Sequence, residues 1–215
     1  MMAYQSIFLY NTSVLTVSYA LISKGNISLA NSRLNTSGSS CRTNSGLGRG
    51  SVIQYQNTYC TSGSSSCGYG SISNYTLCFD IIQYFLFLSH SFPYISKGPF
   101  LSTGSGGFGY NMNLSGRGSG GGIIFMLAED TIILNGSQIL ASGGDVYVND
   151  TISAGSGGTI FIFSKNLTGM NLNNISAGGG NSYNNNGAGG GGLVKISYAN
   201  VNQTMNRDSL WINIY

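Results

Sequence analysis

The chain has 215 residues, and only nine Lys and Arg and six Asp and Glu among them are charged, for a net charge of +3. Gly, Ser, Asn and Thr together fill 102 positions. This composition excludes a helical bundle or coiled coil, which needs Ala, Glu, Lys and Leu at helical spacing. The scattered cations are too few for a nucleic-acid interface. Apolar residues still make up 41% of the chain, which argues against disorder.

The first part of the chain, 1–78, is assigned to degenerate β-repeats with a cysteine-containing loop region. Its residues 14–19 are mostly β-branched or aromatic, which is typical of a strand and not of a signal sequence. If the protein is exported, the sequence is therefore expected to be a fragment of a longer chain. Residues 26–38 look like a weaker copy of the repeat found at 104–200.

Four cysteines fall within this first part, separated by 19, 7 and 11 residues. A zinc site needs ligands two to four residues apart, so the spacing favours two disulfides instead. Three pairings are open, and the nested one joins Cys60 to Cys67 and Cys41 to Cys78; four buried, unpaired thiols are the alternative. Disulfides predict an oxidising compartment and no free thiol in exported material. The four residues are Cys41, Cys60, Cys67 and Cys78.

Two further segments flank the main repeats. The apolar segment 79–103 has no repeat, and its uninterrupted run at 81–88 is too short to span a bilayer. Its residues 79–92 are interpreted either as a buried helix or strand that covers one end of the repeats or as an artefact of the gene model. The final segment, 201–215, is predicted to be an end strand in which Trp211 caps the last coil.

The main repeats occupy 104–200, where three glycine clusters each lead directly into an apolar strand. The last glycines of these clusters are Gly122, Gly158 and Gly192, so the spacing is 36 and then 34 residues. A second landmark, an Ile followed by small residues and glycines, recurs at Ile139 and Ile175, again 36 residues apart. Two landmarks with one spacing indicate a genuine repeat.

These features predict an all-β fold, a Gly/Asn-rich parallel β-helix (solenoid) with repeat units of about 36 residues. The strands at 123–127, 159–163 and 193–198 are expected to stack in parallel on one face, with Phe161 in the inner column. Gly and Asn are expected at corners, because both tolerate positive φ. The Asp-Thr-Ile triplet recurs after 20 residues, so each unit is expected to hold nearly two coils.

The glycine-led strands also resemble a known family. The runs at 155–160 and 174–181, and the closing glycines before Leu193, resemble glycine-rich β-helical segments of large extracellular proteins in ciliates and, more distantly, of plant glycine-rich tenascin-like proteins. Pro93-Tyr94 resembles the spacer that precedes such a unit. The resemblance covers 93–200 best and is faint over 20–78. It implies a solenoid piece of a large surface protein that has no catalytic residues.

N-glycosylation sequons are about twice as frequent as the composition predicts, which favours a secreted chain. The ten candidate asparagines are Asn11, Asn26, Asn35, Asn74, Asn113, Asn135, Asn149, Asn166, Asn174 and Asn202.

Parallel β-helices also include carbohydrate-active enzymes, which need two opposed carboxylates, or acidic calcium ligands with a base. Asp130 and Asp150 are expected on neighbouring coils with Asp145 nearby, and Lys165 is the one base in register. Turn positions account for these acids as well, because Asp satisfies its own backbone there. We therefore assign no catalytic residue and no metal site. The six acids are Asp80, Glu129, Asp130, Asp145, Asp150 and Asp208.

Two Gly-x-Gly-x-x-Gly matches, beginning at Gly104 and Gly116, arise by chance among 33 glycines and predict no nucleotide site. The sequence thus predicts a non-catalytic structural or adhesive segment without a cofactor, located outside the cell or at its surface, with a membrane-anchored parent protein as one option. Its expected partners are flanking segments of a larger surface protein, glycans or other surface proteins. The alternative is a β-helical carbohydrate-active enzyme or a glycan-binding module.

Overall fold

The computed structural model describes residues 2–3, 5–42, 45–46, 49–50, 52–55, 58–61, 63–64, 103–107, 118–147, 152–183, 186–198 and 210–213. Over these residues the chain forms sixteen β-strands and one 3-10 turn at Leu172–Asn174. The strands are, in chain order, β1 (Met2–Ala3), β2 (Ile7–Tyr10), β3 (Ser13–Leu15), β4 (Ser18–Ser23), β5 (Ile27–Ala30), β6 (Arg33–Asn35), β7 (Val52–Tyr55), β8 (Thr58–Thr61), β9 (Ile123–Ala128), β10 (Thr131–Asn135), β11 (Gln138–Leu140), β12 (Thr159–Ser164), β13 (Asn166–Thr168), β14 (Ile175–Ser176), β15 (Leu193–Tyr198) and β16 (Leu210–Asn213).

Three sheets contain all of these strands except β7 and β8, which form a separate antiparallel pair. Sheet A has the order β1-β4-β9-β12-β15-β16, sheet B the order β2-β5-β10-β13, and sheet C the order β3-β6-β11-β14. The chain passes through sheets A, B and C in turn, and we call each passage a circuit. All neighbouring strands in the three sheets are parallel except β15 and β16. The predicted all-β class with parallel sheets is therefore confirmed.

The register shows how the repeat is used. Thr159 pairs with Ile123 on one side and with Leu193 on the other, so the three glycine-led strands do stack in parallel. Ile139 likewise pairs directly with Ile175, 36 residues later. The expectation that one unit holds nearly two coils is wrong, because strands 36 residues apart are hydrogen-bonded neighbours. Each unit contributes one strand to each sheet. Its remaining residues lie outside the three sheets.

The second and third circuits are separated by 105 residues in sequence but are adjacent in space. Ile27 pairs with Ile132, and Leu34 pairs with Ile139. The weak copy at 26–38 is thus equivalent to residues of the main repeats, as predicted. The stretch 36–122 lies between these two circuits in sequence, and its described residues add no strand to sheets A, B or C. The proposed boundary at 78 falls outside the described residues, as does the segment 79–102.

The core lies between the three sheets and consists of aliphatic columns. In sheet A, Leu21, Met126, Ile162 and Ile196 occupy one register position on four successive strands, and each is at most 1% exposed. Burial of one such side chain contributes about 1.5–3 kcal/mol. Because successive circuits bury the same position, the columns form one continuous core.

Phe161 does not belong to this inner column, contrary to expectation. It alternates with the inward Ile160 and Ile162 along β12, and side chains that alternate lie on opposite faces of a sheet. It is nevertheless 3% exposed and stacks on Phe163, with 5.7 Å between the ring centroids. The outer face of sheet A is therefore apolar as well.

The corner between sheets B and C is built from a repeated polar turn. Asn11, Asn31 and Gly136 have φ of 48°, 50° and 60° at equivalent positions, which confirms the expected use of Asn and Gly. The next residue links the circuits, since the Ser32 amide donates to the Ser137 hydroxyl at 3.1 Å. The Thr12 amide donates to the Ser32 hydroxyl at 3.3 Å in the same way. Hydrogen bonds thus join the corner of each of these circuits to the corner of the next.

The residues between sheet C and the next passage through sheet A form two glycine arms. The first arm is 141–147 with 152–158, and the second is 177–183 with 186–192. With 103–107 and 118–122 they form a bundle of extended segments, which we call the glycine bundle. Its segments lie outside the strands and exchange backbone hydrogen bonds throughout.

Hydrogen bonding in the glycine bundle repeats every three residues. The amides of Gly155, Ser156 and Gly157 donate to three different segments, through the carbonyls of Gly144, Ser105 and Gly190. Gly158 then returns to the first neighbour, at Ala141. Three residues per turn with no internal hydrogen bond is the geometry of a polyproline II helix. The bundle is therefore held together largely by backbone groups, and the side chains buried in it are mainly serines and one small apolar cluster.

Candidate functional site

A pair of tyrosines repeats at the outer ends of the two glycine arms. Tyr147 is the last described residue before 148–151, and Tyr183 is the last before 184–185. Their ring centroids are 5.7 Å apart and their ring planes differ by 10°. Tyr147 is 52% exposed and Tyr183 is 56% exposed. The two rings thus form one stacked aromatic surface open to solvent.

The backbone holds the two tyrosines in register. The Val146 amide donates to the Asn181 carbonyl at 2.9 Å, and the Tyr183 amide donates to the Val146 carbonyl at 3.1 Å. Val146 is fully buried in a small apolar cluster with Ile152 and Ala154. The tyrosines therefore project from a fixed backbone at the ends of both arms.

A carboxylate lies on the same arm as the first of the two tyrosines. Asp145 is two residues before Tyr147 and only partly buried, and its Oδ1 accepts a hydrogen bond of 2.7 Å from the Asn181 amide. This bond fixes the carboxylate against the second arm. The tyrosine pair with Asp145 and Asn181 is hereafter called the arm-tip site.

The arm-tip site has the composition of a binding surface. Aromatic rings stack on apolar faces of a ligand, and a fixed carboxylate accepts hydrogen bonds from its hydroxyl or amide groups. Glycoside hydrolysis needs two carboxylates that flank the scissile bond. The segments 141–147 and 177–183 contain one acid, Asp145. These segments alone therefore supply recognition chemistry and not a hydrolytic pair.

The predicted acids that the structure describes lie at two different places. Glu129 and Asp130 are exposed at the turn between β9 and β10, where the Asp130 Oδ1 accepts a hydrogen bond of 3.4 Å from Asn166. Lys165 is exposed at the equivalent turn after β12. Asp145 lies on the first glycine arm, after sheet C. The described residues contain no group of three His, Cys, Asp or Glu side chains that would suit a metal ion.

Three of the predicted acids fall outside the described part of the chain: Asp80, Asp150 and Asp208. The side chain of Trp211 is also outside it, although its strand β16 does pair antiparallel with β15 at the end of sheet A. The glycines of the two nucleotide-like matches that are described belong to the glycine bundle. The Gly104 amide donates to the Gly121 carbonyl at 2.7 Å, and the Gly107 amide donates to the Gly118 carbonyl.

Of the four cysteines, the structure describes the side chain of Cys41. Cys41 is half-buried, and its Sγ lies 3.6 Å from the Thr103 hydroxyl oxygen. Cys67, Cys78 and the side chain of Cys60 lie outside the described residues. The disulfide assignment therefore stays a prediction.

Six of the ten sequons are described. Asn11 and Asn135 are exposed beside the corner between sheets B and C. Asn26 and Asn35 use their Oδ1 atoms as acceptors, for the amides of Thr131 and Ser37 respectively. The other two described are Asn166 and Asn174, and those outside the description are Asn74, Asn113, Asn149 and Asn202. Occupancy of these sites stays a prediction.

Sequence reasoning missed the arm-tip site, although a signal for it was present. Tyr147 and Tyr183 are 36 residues apart, the spacing of both repeat landmarks. Each follows a small-residue run and a polar residue, in Gly-Gly-Asp-Val-Tyr and Gly-Gly-Asn-Ser-Tyr. A search for chemistry-bearing residues at the repeat spacing finds this pair.

Comparison with known proteins does not assign the chain to a family. No family model matches it, and neither a curated protein nor a solved structure matches it. Among the described residues, no helix is long and apolar enough to cross a membrane.

Proposed function

We propose that the chain is a Gly/Asn-rich parallel β-solenoid segment, with one circuit per unit of about 36 residues in its main repeats, that serves a non-catalytic structural or adhesive role in a secreted or cell-surface protein. The observation that carries this proposal is the register: equivalent strands pair in one direction from the first circuit to the fifth passage through sheet A. Each circuit contacts only its neighbours. Further circuits can therefore be added to such a stack with the same core packing.

The surface chemistry supports a structural or adhesive role. The corners carry small polar residues, and charged residues make up 7% of the chain. Ten sequons, two of them at exposed corner positions, support passage through the secretory pathway. The partners we propose are flanking segments of a larger surface protein, and glycans or other surface proteins. The larger protein is either secreted or anchored in a membrane.

Selective labelling of surface proteins tests the location. Intact cells that produce the protein are treated with a membrane-impermeant amine-biotin reagent, and the chain is then identified by mass spectrometry. We expect labelled peptides from intact cells, at Lys24 or Lys165, which are exposed. A cytosolic protein in the same sample is the control for leakage. Labelling of the chain only after permeabilisation, together with absence from the medium, would contradict the proposal.

An activity assay distinguishes the alternative, a carbohydrate-active enzyme, from this proposal. The purified chain is incubated with neutral and acidic polysaccharides, and the release of reducing ends or unsaturated products is measured. We expect no turnover. Turnover that disappears in Asp130→Asn or Asp145→Asn would replace the structural proposal with an enzymatic one. A glycan-binding module is the second candidate function, and the arm-tip site is the observation that favours it.

A further inference from the structure

The arm-tip site differs from the other exposed aromatic residues of the described chain. Phe8 and Tyr10 are 73% and 69% exposed, but their positions in the neighbouring circuit hold Ser28 and Ala30. Tyr147 and Tyr183 occupy the same position on two successive arms and stack on one another. Among the exposed aromatic residues that the structure describes, only this pair is thus repeated, and it projects from a rigid support, where binding residues concentrate.

We propose that the arm-tip site binds a neutral oligosaccharide. A pyranose ring presents an apolar face of C–H groups, which a tyrosine ring covers, and a rim of hydroxyl groups, which a carboxylate and amides bind. Tyr183 supplies the exposed ring, and Asp145 supplies the acceptor at a position fixed by the Asn181 amide. The inference rests on the adhesive role proposed above and names the ligand class for it.

Charge selects a neutral ligand over an anionic one. Asp145 is the only charged residue in the segments 141–147 and 177–183. The only bases between residues 118 and 206 are Lys165 and Lys195, and the structure places these in the turn after β12 and in sheet A. Recognition of nucleic acid or of an acidic glycan requires cations beside the aromatic rings, and these segments provide none.

The stacking of the two rings also favours binding. Each ring limits the rotamers of the other, and the hydrogen bonds around Val146 hold both backbones in place. Less side-chain entropy is then lost when a sugar binds. The patch consists of two rings, whereas a stable protein interface buries about 800 Å² on each partner. A saccharide therefore fits the patch better than a folded protein does.

The test is titration of the whole purified chain with hexasaccharides of β-1,4-glucose, β-1,4-N-acetylglucosamine and α-1,6-mannose, followed by saturation-transfer NMR and calorimetry. We expect at least one to bind with Kd of about 1 mM or lower. Tyr183→Ala and Tyr147→Ala should each weaken binding about tenfold or more. Tyr183→Phe keeps the ring and should stay within about threefold of the parent affinity.

Tyr10→Ala is the matched control, because it removes an exposed tyrosine ring from sheet B, and it should leave affinity unchanged. Circular dichroism of each variant separates loss of binding from loss of folding. The proposal is overturned if no hexasaccharide binds at about 10 mM, if both tyrosine variants bind as the parent does, or if a polyuronate or RNA binds in preference. None of these outcomes bears on surface location, which the labelling experiment measures separately.

Discussion

The sheets and the glycine bundle reach the same tight packing by opposite means. Between the sheets, aliphatic columns such as Leu21–Met126–Ile162–Ile196 exclude water, and the side chains decide the fit. In the bundle, backbone meets backbone, and three amides in succession bond to three different segments. The first region depends on what the side chains are, and the second depends on their absence. Removal of a side chain should therefore destabilise the sheets, whereas addition of a side chain should destabilise the glycine bundle.

The largest effect is expected for Gly158→Ala in the glycine bundle. A Cβ added at Gly158 would overlap the carbonyl oxygen of Gly122, so backbone has to move. We expect a loss of at least about 4 kcal/mol, which is a large part of the roughly 5–15 kcal/mol by which a folded protein is usually stable. Urea unfolding followed by circular dichroism measures it.

Gly178→Ala is the matched control for that substitution. A Cβ at Gly178 would lie 3.6 Å from the Ser176 hydroxyl, which is ordinary contact. Its stability should stay the same or rise by up to about 1 kcal/mol, because Ala restricts the unfolded chain. Equal effects for the two variants would show that backbone contact does not limit packing in the bundle.

A smaller loss is expected for Ile162→Ala in the core of the sheets. The side chain is fully buried in the column of sheet A, so truncation leaves a cavity that costs about 2–5 kcal/mol. Leu172→Ala, at a residue 45% exposed in the 3-10 turn, should cost less than about 1 kcal/mol. If both variants unfold at the same urea concentration, the column is not the core.

The smallest of the three effects is expected for Ser137→Ala at the corner between sheets B and C. The Ser137 hydroxyl accepts from the Ser32 amide and donates to the Asn135 carbonyl. Its removal leaves the Ser32 amide without this partner at a buried position, which costs about 1–3 kcal/mol. Ser13→Ala, on the exposed side of sheet C, should change stability by no more than about 0.5 kcal/mol. Thermal unfolding of the two variants gives the comparison, and a Ser13 effect as large as that of Ser137 would exclude a special role for the corner.

Prediction from sequence succeeded where side chains carry the pattern. The strands after Gly122, Gly158 and Gly192 are apolar and evenly spaced, and they are neighbours in sheet A. It failed for the glycines themselves, which were expected only at corners and leads. The residues of each 36-residue unit that lie outside the three sheets are mostly in the glycine bundle. No side-chain pattern in the sequence predicts which segments of the bundle are neighbours. The arm-tip site was missed although Tyr147 and Tyr183 recur at the repeat spacing, because the repeat was defined from its glycines and apolar residues alone.

The sequence by itself determined the all-β class, the parallel direction of the strands and the positions of Asn and Gly at the corners. These follow from local preferences and from the spacing of apolar residues, which act within a few residues of each other. The tertiary structure decided that circuits 105 residues apart are neighbours, that a unit is one circuit with an arm, and that Tyr147 meets Tyr183. Those outcomes depend on which backbone amide donates a hydrogen bond to which carbonyl. Every glycine offers the same pair of groups, so only the assembled bundle selects the partners.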